Sequence, residues 1–119
     1  MTSSSEPVRR SSRYQSLLAE LRSGQKTVLL DGPISTELDS RGTTMASGKS
    51  RRVTKDEPEA LVQVHVDYIN AGAQIITTHT FGRNRDVLGC EFEEFTRGAV
   101  DCALEARRQT RTADSVIVA

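Results

Sequence analysis

The sequence predicts an α/β fold made of consecutive parallel strand–helix units. Three observations carry this. Short apolar runs stand at Val28–Leu30, Ile75–Ile76 and Val116–Val118. Between them lie longer segments whose apolar residues recur at helical spacing. Each connection is long enough to hold a crossover helix, and such crossovers are right-handed and leave successive strands parallel.

Residues 1–13 are rich in Ser and Arg and hold no apolar run, so they read as a disordered tail ahead of a folded part, residues 14–119. No secretory signal is expected, because no apolar core follows the first charges. Leu17, Leu18 and Leu21 set a helix over residues 14–23, with Gly24 to close it. Thr27 to Leu30 reads as a buried strand ended by the turn Asp31-Gly32-Pro33. Ser35 to Arg41 is a short helix stopped by Gly42. Residues 43–53 lack periodicity and read as a loop. From Arg41 to Lys55 there are five basic residues and no acid, which reads as a solvated stretch.

The next helix begins at a cluster of start signals. Asp56 is placed to cap it, Pro58 suits its first turn and Glu59 suits the positive end of its dipole. It is expected to run to Ala71, with Leu61, Val62, His65, Tyr68 and Ile69 facing inward and Gly72 ending it. Gln74 to Thr80 is the second strand, and residues 81–89 are a loop or single turn. Glu91 to Gln109 is a long helix with Phe92, Phe95, Ala99, Cys102, Ala103 and Ala106 along one side. The third strand occupies residues 115–119. A buried parallel strand needs neighbours on both sides, so the expectation is a truncated piece of a larger sheet.

Composition narrows the function. Hydrophobic residues are 36% and charged residues 27%, and 16 Lys and Arg balance 16 Asp and Glu. A formal net charge of zero removes the electrostatic case for nucleic acid or an anionic membrane. Aromatics are 4% and Trp is absent, so base stacking has no platform. No apolar run approaches the roughly 20 residues of a membrane helix. The two cysteines, Cys90 and Cys102, are too few for a disulfide scaffold and are not at zinc-ligand spacing. They read as reduced thiols in the cytoplasm.

Two segments lie at strand ends. The first is Leu29-Leu30-Asp31-Gly32-Pro33-Ile34-Ser35-Thr36-Glu37-Leu38, and the second is Ala71-Gly72-Ala73-Gln74-Ile75-Ile76-Thr77-Thr78-His79-Thr80-Phe81 with Asn84-Arg85. With Asp56-Glu57-Pro58-Glu59 and Val64-His65-Val66-Asp67-Tyr68, their order and spacing resemble the homocysteine S-methyltransferase family over residues 26–119. That family includes betaine-dependent enzymes and the homocysteine domain of methionine synthase. The resemblance implies the N-terminal three βα units of a TIM (β/α)8 barrel, a fold that needs roughly 250 residues when complete.

The match is not uniform. The family's Leu-Asp-Gly-Ala-Met-Gly-Thr-Glu-Leu keeps Asp31, Gly32, Thr36, Glu37 and Leu38, but Pro33, Ile34 and Ser35 replace its middle three. Met45-Ala46-Ser47 stands where the family usually has a Trp, and the usual Thr-Thr-Asn-Thr has become Thr77-Thr78-His79-Thr80. Gly82 replaces the aromatic with which betaine enzymes hold a quaternary ammonium, so a sulfonium, folate or similar methyl donor is implied instead.

The resemblance implies that Asp31 pairs with the ammonium of homocysteine and that the Gly32 N–H meets its carboxylate. Thr77 and Thr80 are substrate-pocket candidates, and Glu37, His79 and Phe81 are further pocket positions. Glu37 either orients the first loop or caps its helix. His65 reads as structural, and Arg83 and Arg85 as solvated loop residues. No catalytic residue and no metal ligand is assigned. The family activates the substrate thiol with zinc held by later cysteines, including a Gly-Gly-Cys-Cys segment that this chain does not contain. The expectation is therefore a homocysteine S-methyltransferase-type domain, giving methionine from homocysteine and a small donor, and inactive as this chain alone. The reading from a different class is a non-catalytic half-barrel that binds a partner through open strand edges.

Overall fold

The computed structural model describes residues 12–42, 53–80 and 85–119. The first helix, α1, is Arg13–Arg22. It starts inside the segment assigned to the tail, because Ser12 caps it. The Ser12 hydroxyl accepts from the Gln15 N–H at 3.1 Å, and the Gln15 side chain accepts from the Ser12 N–H at 3.0 Å. Of its three leucines only Leu17 is buried, and Leu21 is half exposed.

The first strand is shorter and more open than expected. Leu30 alone makes a parallel bridge, to Ile75, and Leu29 and Leu30 are 52% and 64% exposed. The segment is an edge among the described residues, with one neighbouring strand and nothing packed over its outer side. Helix α2 (Ser35–Ser40) then buries Leu38 completely.

Asp56 is not the cap of the following helix. It closes a separate short helix, α3 (Val53–Asp56), and Glu57 takes the N-cap position of α4 (Pro58–Asn70) without a side-chain cap bond. Pro58 at the first turn removes one unpaired N–H, and the Ala60 N–H donates to the Glu57 carbonyl at 3.1 Å. Leu61, Val62, Val64, His65 and Ile69 are buried along α4, with Tyr68 half-buried. Gly72, at φ 111°, turns the chain into the sheet.

Strand β1 is Ile75–Ile76. Helix α5 (Arg85–Leu88) and a 3-10 turn (Gly89–Glu91) lead into α6 (Phe92–Gln109). Phe95, Ala99, Cys102, Ala103 and Ala106 form the buried side of α6. Apart from Phe95 these are small residues that let α4 and α6 approach closely, and this helix pair is the most extensive packing among the described elements. Strand β2 (Ile117–Val118) pairs in parallel with β1, Ile75 opposite Ile117 and Ile76 opposite Val118.

The three strand segments therefore lie side by side in chain order, all parallel. Asp31 N–H donates to the Ile75 carbonyl (3.1 Å), Gln74 N–H to Leu29 (2.8 Å), Ile117 N–H to Gln74 (2.9 Å) and Thr78 N–H to Ala119 (2.7 Å). Ile76 sits at the centre of one core with Leu38, Leu61, Val64, Ala103 and Val116. Each large side chain buried there contributes about 1.5–3 kcal/mol.

Candidate functional site

At the carboxyl ends of the first two strands the chain leaves the sheet and forms an open crevice of about 540 Å³, lined among others by Asp31, Gly32, Pro33, Ser35, Thr36, Thr77, Thr78 and His79. Parallel strands put successive turns on one rim, which is where α/β proteins build their sites.

Asp31 is fixed across the two strands. Its carboxylate accepts from the Thr77 N–H at 2.8 Å through Oδ2 and from the Thr77 hydroxyl at 3.1 Å through Oδ1. A carboxylate has about four lone-pair directions, so both oxygens keep capacity for another donor. Gly32 is glycine for a steric reason. A Cβ there would stand 2.8 Å from the Tyr68 hydroxyl and 3.2 Å from two ring carbons. That hydroxyl donates to the Pro33 carbonyl at 2.9 Å. Burial, then the charges of Glu37 and Asp31, raise the Tyr68 pKa, so the phenol keeps its proton.

Of the named candidates, Asp31, Gly32, Thr77 and His79 come together around the crevice. Thr80 does not line it; its hydroxyl shares a hydrogen bond with that of Thr78 at 3.0 Å. Glu37 also stands outside the lining. It pairs with Arg41, Nε to Oε1 at 3.0 Å, and Arg41 reaches on to Asp67 at 2.7 Å, so this clasp ties α2 to α4. Phe81, together with Gly82 to Asn84, lies outside the described residues, as does most of the basic loop. Thr77, Thr78 and His79 line the crevice in succession, so strand alternation does not sort them. The chain has left β1 at Thr77, which is why three consecutive residues can face one rim. Tyr68 reads as a helix-stripe residue and as part of a segment that carries the resemblance; its tie to Pro33 has no local sequence signal.

Two histidines sit near Asp31. His65 is 0% exposed and neither ring nitrogen has a hydrogen-bond partner among the described residues. Its pKa falls from the ordinary 6.5 to about 4, through burial first, with the Asp31 charge opposing and His79 adding to the drop. The ring is neutral at pH 7.

The described residues do not fit a zinc ion. They hold no group of three or more His, Cys, Asp or Glu side chains arranged to ligate a metal. Cys102 is buried, its thiol is pushed up to about 11 by that burial and by Asp101 and Glu59, and its S–H points to the Pro58 carbonyl at 3.8 Å. Cys90 is exposed elsewhere. No described helix is long and apolar enough to cross a membrane.

The family model for homocysteine S-methyltransferase matches residues 28–119. The homocysteine S-methyltransferase of Escherichia coli (strain K12) is 40% identical over 65 residues, 54% of this chain and 21% of the relative. The S-methylmethionine–homocysteine S-methyltransferase BHMT2 of Pongo abelii is 29% identical over 89 residues, 75% of this chain and 24% of the relative. The crystal structure of the homocysteine methyltransferase MmuM from Escherichia coli, metallated form, superposes with a TM-score of 0.71 at 29% identity, over 86% of this chain and 39% of that one. This chain thus spans between 21% and 24% of the length of those two curated relatives. With three parallel strands in sequence order, a carboxylate at the rim and a family match over most of its residues, the chain belongs to the homocysteine S-methyltransferase family.

Proposed function

We propose that this chain supplies the part of a homocysteine S-methyltransferase barrel that grips the amino-acid end of homocysteine. The observation that carries the reading is the Asp31 carboxylate, held by Thr77 at the crevice rim with acceptor capacity to spare. An ammonium placed there gains a charge-assisted hydrogen bond. The Gly32 N–H has no acceptor among the described residues and offers the complementary donor for the substrate carboxylate. The thiol then receives a methyl group from a sulfonium or similar donor, giving methionine. The family's zinc, which would bind and deprotonate that thiol, has no ligand set in the described residues. The 119-residue chain by itself is accordingly expected to bind but not to methylate. Two free cysteines and no disulfide support a cytoplasmic location.

Calorimetric titration of the chain with homocysteine tests the binding claim. Asp31→Asn is expected to weaken binding about tenfold or more, since a hydrogen bond to a charged group contributes roughly 1.5–3 kcal/mol. Equal affinity in the two proteins would overturn it.

A second reading, a non-catalytic half-barrel that pairs with a partner, is favoured by the exposed Leu29 and Leu30 on an edge segment. Sedimentation with hydrogen exchange separates the two. A discrete oligomer with protected amides at residues 28–31 supports pairing, and a monomer with fast exchange there removes it.

A further inference from the structure

The short stretch Asp31–Pro33 is pinned from two sides. Thr77, at the end of β1, holds the Asp31 carboxylate. Tyr68, from α4 and 35 positions away in sequence, holds the Pro33 carbonyl at 2.9 Å. Between them Gly32 lies so close beneath the phenol that an added methyl would stand 2.8 Å from its oxygen, nearer than side-chain carbons pack. Tyr68 itself is steadied by its surroundings: Asp67, the preceding residue of α4, is clasped by Arg41 at 2.7 Å, and Arg41 is bonded to Glu37 on α2.

We infer that Tyr68 is a positioning residue for the substrate, setting the height of the Gly32–Pro33 segment at the crevice, and that the tyrosine phenol is what restricts position 32 to glycine. This rests on the reading that the crevice takes the amino-acid end of homocysteine. The hydroxyl touches no substrate atom in this account. It acts by holding the Pro33 carbonyl; the proline ring fixes the φ of residue 33, and the phenol lying against Gly32 limits where that residue and its N–H can move. A methyl at position 32 would push the phenol aside and break the same hydrogen bond that Tyr68→Phe removes.

The test is a double-mutant cycle on the full chain with wild type, Tyr68→Phe, Gly32→Ala and the double variant. Homocysteine affinity by calorimetry is the first readout. Loss of one neutral hydrogen bond predicts a roughly three- to tenfold rise in Kd for Tyr68→Phe. Gly32→Ala should weaken binding at least as much. The double variant should be no weaker than Gly32→Ala alone, because both changes break one bond. Fully additive losses, or an unchanged Kd in Tyr68→Phe, would overturn the inference. The second readout needs no ligand: the carbonyl ¹³C resonance of Pro33. Both single variants are expected to move it in the same direction, as loss of a shared donor requires. A Gly32→Ala chain that keeps the wild-type resonance overturns the inference. Absence of homocysteine binding in the wild-type chain sinks the functional reading instead and leaves the carbonyl readout to decide this one.

Discussion

Acid should weaken this fold through His65 in a way that a single substitution removes. The ring is wholly buried and neutral, and its pKa stands at about 4 against the ordinary 6.5. In the unfolded chain it protonates as the pH falls through 6.5; in the folded chain it resists. Between those values the unfolded state binds more protons, so stability is whole above about pH 6.5 and declines as the pH drops toward 4. At 1.36 kcal/mol per pKa unit, the gap amounts to about 3 kcal/mol at the bottom of the window. His65→Leu abolishes this contribution. It should also cost little at neutral pH, because the ring nitrogens make no hydrogen bonds among the described residues that Leu would forfeit. The assay is urea unfolding of both proteins at about pH 7, 5.5 and 4.5. Carboxylates common to both titrate alike and cancel in the difference. Wild type should lose roughly 1.4 kcal/mol per pH unit relative to the variant across the window. Parallel curves for the two proteins, or a His65 ring proton that titrates near 6.5 by NMR, would refute the reasoning.

Iodoacetamide at mildly alkaline pH should alkylate Cys90 and spare Cys102, since the first is exposed and the second is buried with its thiol pushed up to about 11; peptide mass mapping reads this directly. Leu38→Ala, at a fully buried position of α2 beside the crevice, should cost about 2–5 kcal/mol in urea unfolding. Ser12→Ala removes one half of the capping box of α1 and should cost about 1 kcal/mol, visible as a lower thermal midpoint of the helical circular dichroism signal.

Much of the architecture is legible in local sequence because local physics sets it. The 3.6-residue stripe of α6 placed five of its six named residues in the core, and only Phe92 stays half-buried. Gly24 and Gly72 punctuate chain turns with positive φ, as their lack of a Cβ allows. Strand order and direction followed from the crossover helices. What failed depends on neighbours that sequence does not display. Thr27–Leu30 reads as buried because it is apolar, yet burial needs something to cover it, and among the described residues nothing does. Asp56 has the right chemistry for a cap, but the chain before it already turns as α3. At the site, Asp31 and Thr77 stand out as residues at strand ends. The reason for Gly32 does not, since it lies in a tyrosine 36 positions later that meets it only after α4 has docked.

The two hydrogen bonds from Thr77 to Asp31 join residues 46 positions apart. Neither strand–helix unit owns the crevice: one brings the acid, the other brings the groups that aim it. During synthesis the aspartate emerges from the ribosome well before its threonine, and until then it is an ordinary solvated carboxylate. The aimed carboxylate thus exists only once the intervening segment has closed, at an entropic cost that grows only slowly with its length. Any ligand that needs Asp31 aimed in this way recognises the docked pair of units and is blind to the first one by itself.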